Sequence, residues 1–256
     1  MFFFDNRFET FTMFSLSHVL ALLFLTGIAL LIIRYRHVLA ANERLDKRLR
    51  ISVACTMVVM EWIFYVWSIS RGGLTYDLLP LGLCAMSMYL TAILLVVDKE
   101  KLFKVIYPWA ITGAFLSLVV ANMTFNFPHF RYLHYFGNHG LFLMAMLYFI
   151  VVKRYRMTYH DTLRSSLILF LIAIPVYFLN IMLGTNHLFL AALPDGFEGL
   201  TEAVGSPLWV FIFMLMIFAL FNLWHVPFLK KTKFPSQVVV DAHDKLTPID
   251  KKRFTR

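Results

Sequence analysis

The sequence has few charged residues and only two cysteines. Charged residues make up 15% of its 256 residues, against about 25% in soluble domains. Cys55 and Cys84 both fall inside apolar runs, which argues against a disulfide framework. The sequence also lacks a glycine-rich phosphate loop, zinc-type cysteine pairs and an internal repeat. We therefore predict neither a cofactor nor a metal ion.

Hydrophobic residues, in contrast, make up 60% of the chain. A single soluble core of this size could not bury so much apolar surface, so lipid must be the solvent. Because a helix needs about 20 apolar residues to cross a bilayer, the sequence predicts an all-α polytopic bundle. Its seven predicted spans are Thr12–Ile33, Ile51–Ile69, Leu78–Val97, Val105–Ala121, Tyr132–Val152, Ser165–Gly184 and Gly205–His225.

The basic residues predict the orientation of this bundle. With seven spans, all but three of the 24 Lys and Arg residues fall on one side of the membrane, and the exceptions are Arg7, Arg71 and Arg131. Lys and Arg accumulate in cytoplasmic loops. We therefore predict an external amino terminus and a cytoplasmic carboxyl terminus. The net charge of +9 then reflects this bias rather than a nucleic-acid partner.

The two ends of the chain lie outside this predicted seven-helix domain of residues 1–229. The segment before the first run is acidic and aromatic rather than basic, so we expect an anchor and not a cleavable signal peptide. Residues 230–256 are polar and basic without an apolar face. They predict a disordered cytoplasmic tail beside anionic lipid.

Polar residues inside the apolar helices indicate a functional site. Polar groups at membrane depth are costly and usually face a protein interior or a wet cavity. With about 1.5 Å of rise per residue, the predicted topology places several of them within roughly 12 Å of the outer helix ends. They are His18, Glu61, Cys84, His134, His139 and Asn180, with Asn138 on the same helix face as His134.

These residues have functional and structural interpretations. Glu61 favours function, because an unpaired acid in mid-membrane costs roughly 2.5–3.5 kcal/mol. His18 and Asn180 could equally bond a neighbouring helix. Cys84 is by itself an ordinary small apolar residue, but histidines at the same depth could activate its thiol. His134 and His139 lie about 140° apart around their helix, so only one of them is expected to face the site.

Several segments of the chain resemble the YwaF-like family of bacterial integral membrane proteins. The resemblance covers roughly Phe11 to Phe228, and its most distinctive parts are Leu79-Pro-Leu-Gly-Leu-Cys84 and Phe127-Pro-His-Phe-Arg-Tyr-Leu-His-Tyr-Phe-Gly-Asn-His139. Phe11-Thr-Met-Phe-Ser-Leu-Ser-His18, Leu179-Asn180 and Gly184-Thr-Asn186 are similar as well. The resemblance implies a multi-pass protein of the bacterial plasma membrane.

A eukaryotic branch that is distantly similar to this family acts as a phospholipid acyltransferase with a cysteine as proposed acyl carrier. By that resemblance Cys84 would be the nucleophile and His139 or His134 its base. The family usually has His where this chain has Gly82, and Asn-Tyr-Met where it has Asn186-His-Leu188. The absence of that histidine beside Cys84 is the difference that weakens the inferred acyltransferase activity most. His187 is a candidate to replace the missing histidine. Asn138, Asn180, Asn186, His187 and His18 would bind substrate.

Three hypotheses follow. In the first, Cys84 of an acyl-transfer enzyme attacks an ester of an outer-leaflet lipid while a histidine oriented by Glu61 shuttles the proton. The second is a zinc-dependent lipid hydrolase with His18, His134 or His139, and Glu61 as ligands. The third is a transporter or sensor whose polar cluster binds an acyl chain or a small molecule without chemistry. Membrane lipids are the expected partners in each case, and the sequence predicts no oligomeric state.

Overall fold

A computed structural model describes residues 2–8, 10–193, 199, 203–205 and 208–229. Within these residues the chain forms seven α-helices and no strand, which confirms the predicted polytopic helical bundle. The helices are α1 (Leu16–Ala41), α2 (Glu43–Gly72), α3 (Leu83–Val97), α4 (Glu100–Val119), α5 (Phe130–Val151), α6 (Tyr159–Leu183) and α7 (Leu208–Leu229). The predicted tail, residues 230–256, lies outside the described residues.

Five of the described helices are long and apolar enough to cross a membrane, namely α1, α2, α4, α6 and α7. Helix α3 is apolar but has only 15 residues. Helix α5 has 22 residues, and polar side chains lower its hydropathy. Both pack among the apolar helices, since α3 contacts α2, α4 and α5, while α5 contacts α1 to α4.

Local sequence determines where the helices begin and end. Asn42 alone separates α1 from α2, and its side chain accepts a hydrogen bond from the Leu45 backbone N–H at 3.0 Å as an N-cap. Helix α3 begins five residues later than predicted, because Pro80 lies in the irregular segment that precedes it. Cys84 is therefore in the first turn of α3 rather than deep within it. Thr158 and Asp161 form a capping box that starts α6.

Charged residues from successive helices meet at one end of the bundle. Arg50 of α2 pairs with Asp46 at 3.1 Å and with Asp98, after α3, at 3.3 Å. Lys153, after α5, pairs with Asp98 at 2.7 Å. Burial and the nearby Asp98 raise the pKa of Tyr155, whose hydroxyl donates to the Asp98 carboxylate at 2.8 Å.

Contacts at both ends show that the helices alternate in direction. The start of α1 meets the end of α4, since His18 bonds Leu118. The end of α7 meets the start of α6, since Thr162 bonds His225. The chain therefore enters the bundle at one end and leaves α7 at the other, where the charged residues collect. That end is the predicted cytoplasmic side.

The buried core lies between α2, α3, α4 and α5. Helix α4 occupies its centre and contacts α3, α5, α6 and α7. Its fully buried side chains include Phe103, Ile106, Tyr107 and Trp109. Helix α1 lies on the periphery with most of its apolar side chains exposed, as expected for a surface that faces lipid. The polar residues discussed next lie at the opposite end of this core, on the predicted outer side.

Candidate functional site

Glu61 and His134 form a buried pair between α2 and α5. His134 Nε2 lies 2.9 Å from Glu61 Oε2, and both side chains are about nine-tenths buried. Asn138, one turn further along α5, donates to the same carboxylate oxygen at 3.1 Å. The carboxylate at membrane depth is thus stabilised by two donors.

Arg131 determines which nitrogen of His134 carries a proton. Its Nη1 lies 2.9 Å from His134 Nδ1. An arginine can only donate, so Nδ1 accepts and the proton of the neutral ring is on Nε2. His134 therefore donates to Glu61, and both of its ring nitrogens are engaged. Phe64 stacks on the His134 ring at 4.7 Å, and the Arg131 guanidinium lies over the same Phe64 at 4.2 Å.

Cys84 lies half-buried between α3 and α4. Its Sγ is 3.5 Å from Ser117 Oγ, which is the one hydrogen-bond partner of this sulfur in the described part of the chain. Gly113 makes room for the thiol, because a Cβ at that position would lie 3.1 Å from Sγ. The first turn of α3 also directs unpaired N–H groups and the positive end of the helix dipole toward this region.

Tyr135 connects the Cys84 environment to His139. Its hydroxyl donates to the Ser117 carbonyl at 2.9 Å, and its ring lies 4.5 Å from the His139 ring. His139 Nδ1 lies 2.8 Å from the Tyr135 carbonyl, which can only accept, so Nδ1 carries the proton. In the neutral ring Nε2 then keeps a lone pair, and no described residue donates to it.

His18 is completely buried and bonded to main chain on both sides. Its Nδ1 accepts from the Phe14 N–H at 2.9 Å, and its Nε2 donates to the Leu118 carbonyl at 2.8 Å. The last four carbonyls of a helix lack partners within it, and Leu118 belongs to the last turn of α4. His18 thus caps α4 and holds α1 against it.

Asn180, Asn186 and His187 organise the chain after α6. The Asn180 amide donates to the His187 carbonyl and accepts from the His187 N–H, both at 2.9 Å. Asn186 accepts from the Ala191 N–H at 3.0 Å. His187 Nε2 lies 3.2 Å from the Tyr76 carbonyl, which ties this loop to the segment before α3.

The structure thus divides the predicted site residues into three groups. Glu61, His134 and Asn138 are in direct contact. Cys84 and His139 are linked through Ser117 and Tyr135. The remaining residues bond the backbone at other positions, and these are His18, Asn180, Asn186 and His187.

The chain matches the TMEM164 family over residues 13–225. It belongs to this family. The match supports a TMEM164-like membrane protein and does not distinguish the YwaF-like bacterial label that the sequence motifs indicated. No curated protein and no solved structure matches the chain.

This TMEM164 family member does not assemble the zinc ligands of the hydrolase hypothesis. In the described residues, no three His, Cys, Asp or Glu side chains are placed to hold one metal ion. Of the three ligands considered, only Glu61 and His134 meet, and both ring nitrogens of His18 bond the main chain. The donor set present does not fit a zinc centre.

Sequence reasoning missed three residues of this region. Arg131 was considered only as one of three basic residues on the predicted outer side, although its spacing of three from His134 places both on one helix face. Ser117 and Tyr135 carried no signal of their own, because hydroxyls are common in membrane helices. Their importance comes from packing between α4 and α5.

Proposed function

We propose that this protein is a lipid acyltransferase that uses Cys84 as acyl carrier at the outer surface of the plasma membrane. The observation that carries the proposal is the chain of contacts from Cys84 through Ser117 and Tyr135 to His139. It combines a half-buried thiol at a helix amino terminus with a histidine that has an accepting nitrogen. These are the components of an activated thiolate.

The reaction has two balanced halves. Cys84 gives its proton to His139 and attacks an ester carbonyl of a lipid. A thioester forms, the ester C–O bond breaks, and His139 returns the proton to the departing alkoxide. An acceptor hydroxyl then loses its proton to His139 and attacks the thioester, which restores the ester and releases the thiol as Cys84 is reprotonated.

The tautomers of His139 and His134 suit them to different roles in the reaction. His139 presents Nε2 as an acceptor because its Nδ1 proton is directed to the Tyr135 carbonyl. Both nitrogens of His134 are occupied by Arg131 and Glu61, so we assign it a positioning role. Movement of the His139 ring toward Sγ would complete the site, since catalytic hydrogen bonds often tighten only when substrate binds.

The test is a labelling experiment with the purified protein in liposomes that contain a radiolabelled diacyl lipid. Wild type should acquire a label that hydroxylamine releases, as expected for a thioester. Cys84→Ser should lose both label and transfer, while the matched control Cys55→Ser keeps both, because Cys55 is exposed on the surface of α2. Unchanged transfer in Cys84→Ser would overturn the proposal.

His139→Asn tests the base. The asparagine amide can still donate to the Tyr135 carbonyl but has no second ring nitrogen. We expect a loss of about a hundredfold in transfer rate, within the usual range for general acid–base catalysis. An unfolded variant would also lose acyl transfer. The thermal transitions of all variants are therefore compared first, so that a loss of transfer rate is assigned to the base only in a folded variant.

A second candidate is ligand binding without chemistry, as in a transporter or sensor. The hydroxyls of Ser87 and Thr91, on the Cys84 stripe of α3, are completely buried and have no hydrogen-bond partner among the described residues. Asn138 Oδ1 is buried as well and has no partner in the part of the chain that the structure describes. These groups favour bound water or a polar ligand. Absence of thioester label in wild type, together with saturable uptake of a ligand, would support this alternative.

A further inference from the structure

Two hydroxyls in the interior of α3 have no hydrogen-bond partner among the described residues. They belong to Ser87 and Thr91, whose side chains are completely buried. A buried hydroxyl in a helix can donate to the carbonyl one turn earlier, as Ser166 of α6 does to Thr162 at 3.0 Å. Ser87 and Thr91 make no such bond to their own helix. Their hydroxyls therefore need a partner from outside α3.

Ser87 and Thr91 lie on the same stripe of α3 as Cys84. Spacings of three and four residues place the three side chains on one face of the helix. The stripe ends inside the bundle, because Leu94 and Leu95, one turn beyond Thr91, belong to the buried apolar core. At the other end Cys84 lies half-buried in the first turn of α3. The stripe is thus closed toward the predicted cytoplasmic side and leads to the thiol at its outer end.

Polar atoms of neighbouring helices accompany this stripe. Ser117 Oγ of α4 lies 3.5 Å from Cys84 Sγ. Asn138 belongs to α5, which packs against α3, and its buried Oδ1 lacks a partner in the described part of the chain. Buried polar groups normally have a partner, and an internal water molecule makes about three hydrogen bonds to such groups. Because hydroxyls both donate and accept and the stripe carries no charged side chain, water fits it better than an ion.

We propose that Ser87 and Thr91 hold water beside Cys84, and that the protein therefore has a second activity, the hydrolysis of acyl groups from its own carrier thiol. The inference rests on the proposed function, because it needs the thioester on Cys84. Water held by Ser87 gives a proton to His139 and attacks the thioester carbonyl. A C–O bond forms, the C–S bond breaks, and the departing thiolate takes the proton back from His139. The products are a free fatty acid and the original thiol.

Hydrolysis and transfer share one intermediate and differ only in the oxygen that attacks it. When an acceptor lipid is bound, its hydroxyl competes with the held water for the thioester. Without an acceptor, the protein acts as an acyl hydrolase on the donor lipid. The stripe lies within the bundle rather than on its lipid-facing surface, so the water stays next to the thiol after the donor lipid leaves.

The test follows the acylated protein through a single turnover. Protein labelled by a radiolabelled diacyl lipid is separated from that lipid in dodecyl maltoside, and the label is followed without acceptor and with palmitoyl lysophosphatidylglycerol. In water enriched in oxygen-18, the fatty acid released without acceptor should carry the isotope. Ser87→Ala should lower the ratio of hydrolysis to transfer by about two- to tenfold, the effect of losing one hydrogen bond. Thr91→Val, one turn further from Sγ, should lower this ratio less.

Ser166→Ala is the matched control, because Ser166 is also buried but its hydroxyl is bonded within α6. It should leave the ratio of hydrolysis to transfer unchanged. An unchanged ratio in Ser87→Ala, or equal losses of hydrolysis and transfer, would overturn the water site. A higher thermal transition of Ser87→Ala with unchanged hydrolysis would also overturn it, because removing a buried hydroxyl that truly lacks a partner stabilises a protein.

The outcomes distinguish this activity from acyl transfer. A thioester label that stays on Cys84 until acceptor is added would refute hydrolysis and leave the acyltransferase intact. Release of fatty acid that depends on Cys84, without transfer to the acceptor, would refute the acyltransferase and support hydrolysis. A wild type that forms no thioester and releases no fatty acid would refute both.

Discussion

Replacement of Arg50 by Met should strongly destabilise the bundle. The Arg50 side chain is 8% exposed and contacts both Asp46 and Asp98, and it also donates to the Leu95 carbonyl at the end of α3. Arg50→Met leaves the buried Asp46 and the partly exposed Asp98 with one cation, Lys153. Removing one partner of a buried ion pair costs about 3–5 kcal/mol of unfolding free energy, mainly because a charge is left uncompensated.

Lys153→Met is the matched control at the same cluster. Lys153 also contacts both aspartates, but its side chain is 24% exposed, so water compensates part of its loss. We expect a cost of about 1 kcal/mol. Unfolding in dodecyl maltoside micelles with increasing SDS, followed by circular dichroism, gives both free energies.

The double variant Asp46→Asn/Arg50→Met distinguishes the cost of losing the ion-pair contact from the cost of leaving a buried charge without a partner. In this variant Asp98 and Lys153 remain as a balanced pair at 2.7 Å. The double variant should therefore be more stable than the sum of the two single changes predicts, by about 0.5–3 kcal/mol. Additive effects, or an Arg50→Met cost no larger than that of Lys153→Met, would refute the reasoning.

Three further outcomes are expected. His18→Ala should lower the unfolding free energy by about 1–3 kcal/mol for each main-chain group it leaves unpaired, and per folded molecule it should not change acyl transfer; a loss of transfer without loss of stability would return His18 to the substrate site. Gly113→Ala should slow alkylation of Cys84 by a lipophilic reagent without lowering the thermal transition, because the added Cβ would lie 3.1 Å from Sγ; unchanged alkylation would contradict the close packing of α3 on α4. A reporter fused after Arg256 should be cytoplasmic and one before Met1 external, and termini on the same side would refute an odd number of crossings.

The helices could be predicted from the sequence because apolar runs report burial in lipid directly. The predicted ends of the helices were less accurate than the predicted number of helices. Helix α2 begins at Glu43 rather than Ile51, because helical hydrogen bonding continues into the polar residues beyond the bilayer. Helix α3 begins at Leu83 rather than Leu78, because an irregular segment that contains Pro80 comes first.

The candidate site could be predicted only in part. Glu61 and His134 were predicted from the cost of polar groups in lipid, and the structure places them in contact. The same signal selected His18, whose partner is a carbonyl that became available because α4 ends there. Sequence spacing on one helix does not reveal which carbonyls of another helix lack a donor. A histidine that caps a helix therefore gives the same sequence signal as a histidine of the candidate site.

The polar stripe of α5 affects how the protein enters the membrane. Helix α5 is too polar to be counted among the apolar spans of the described chain, because it carries Arg131, His134, Asn138 and His139. It nevertheless packs against α1, α2, α3 and α4. If the translocon tested each segment alone for hydrophobicity, α5 would not partition readily into the lipid bilayer. Because α2 precedes α5 in the chain, we expect α2 to remain beside the translocon until α5 emerges, so that Glu61 serves as the insertion partner of α5 during synthesis.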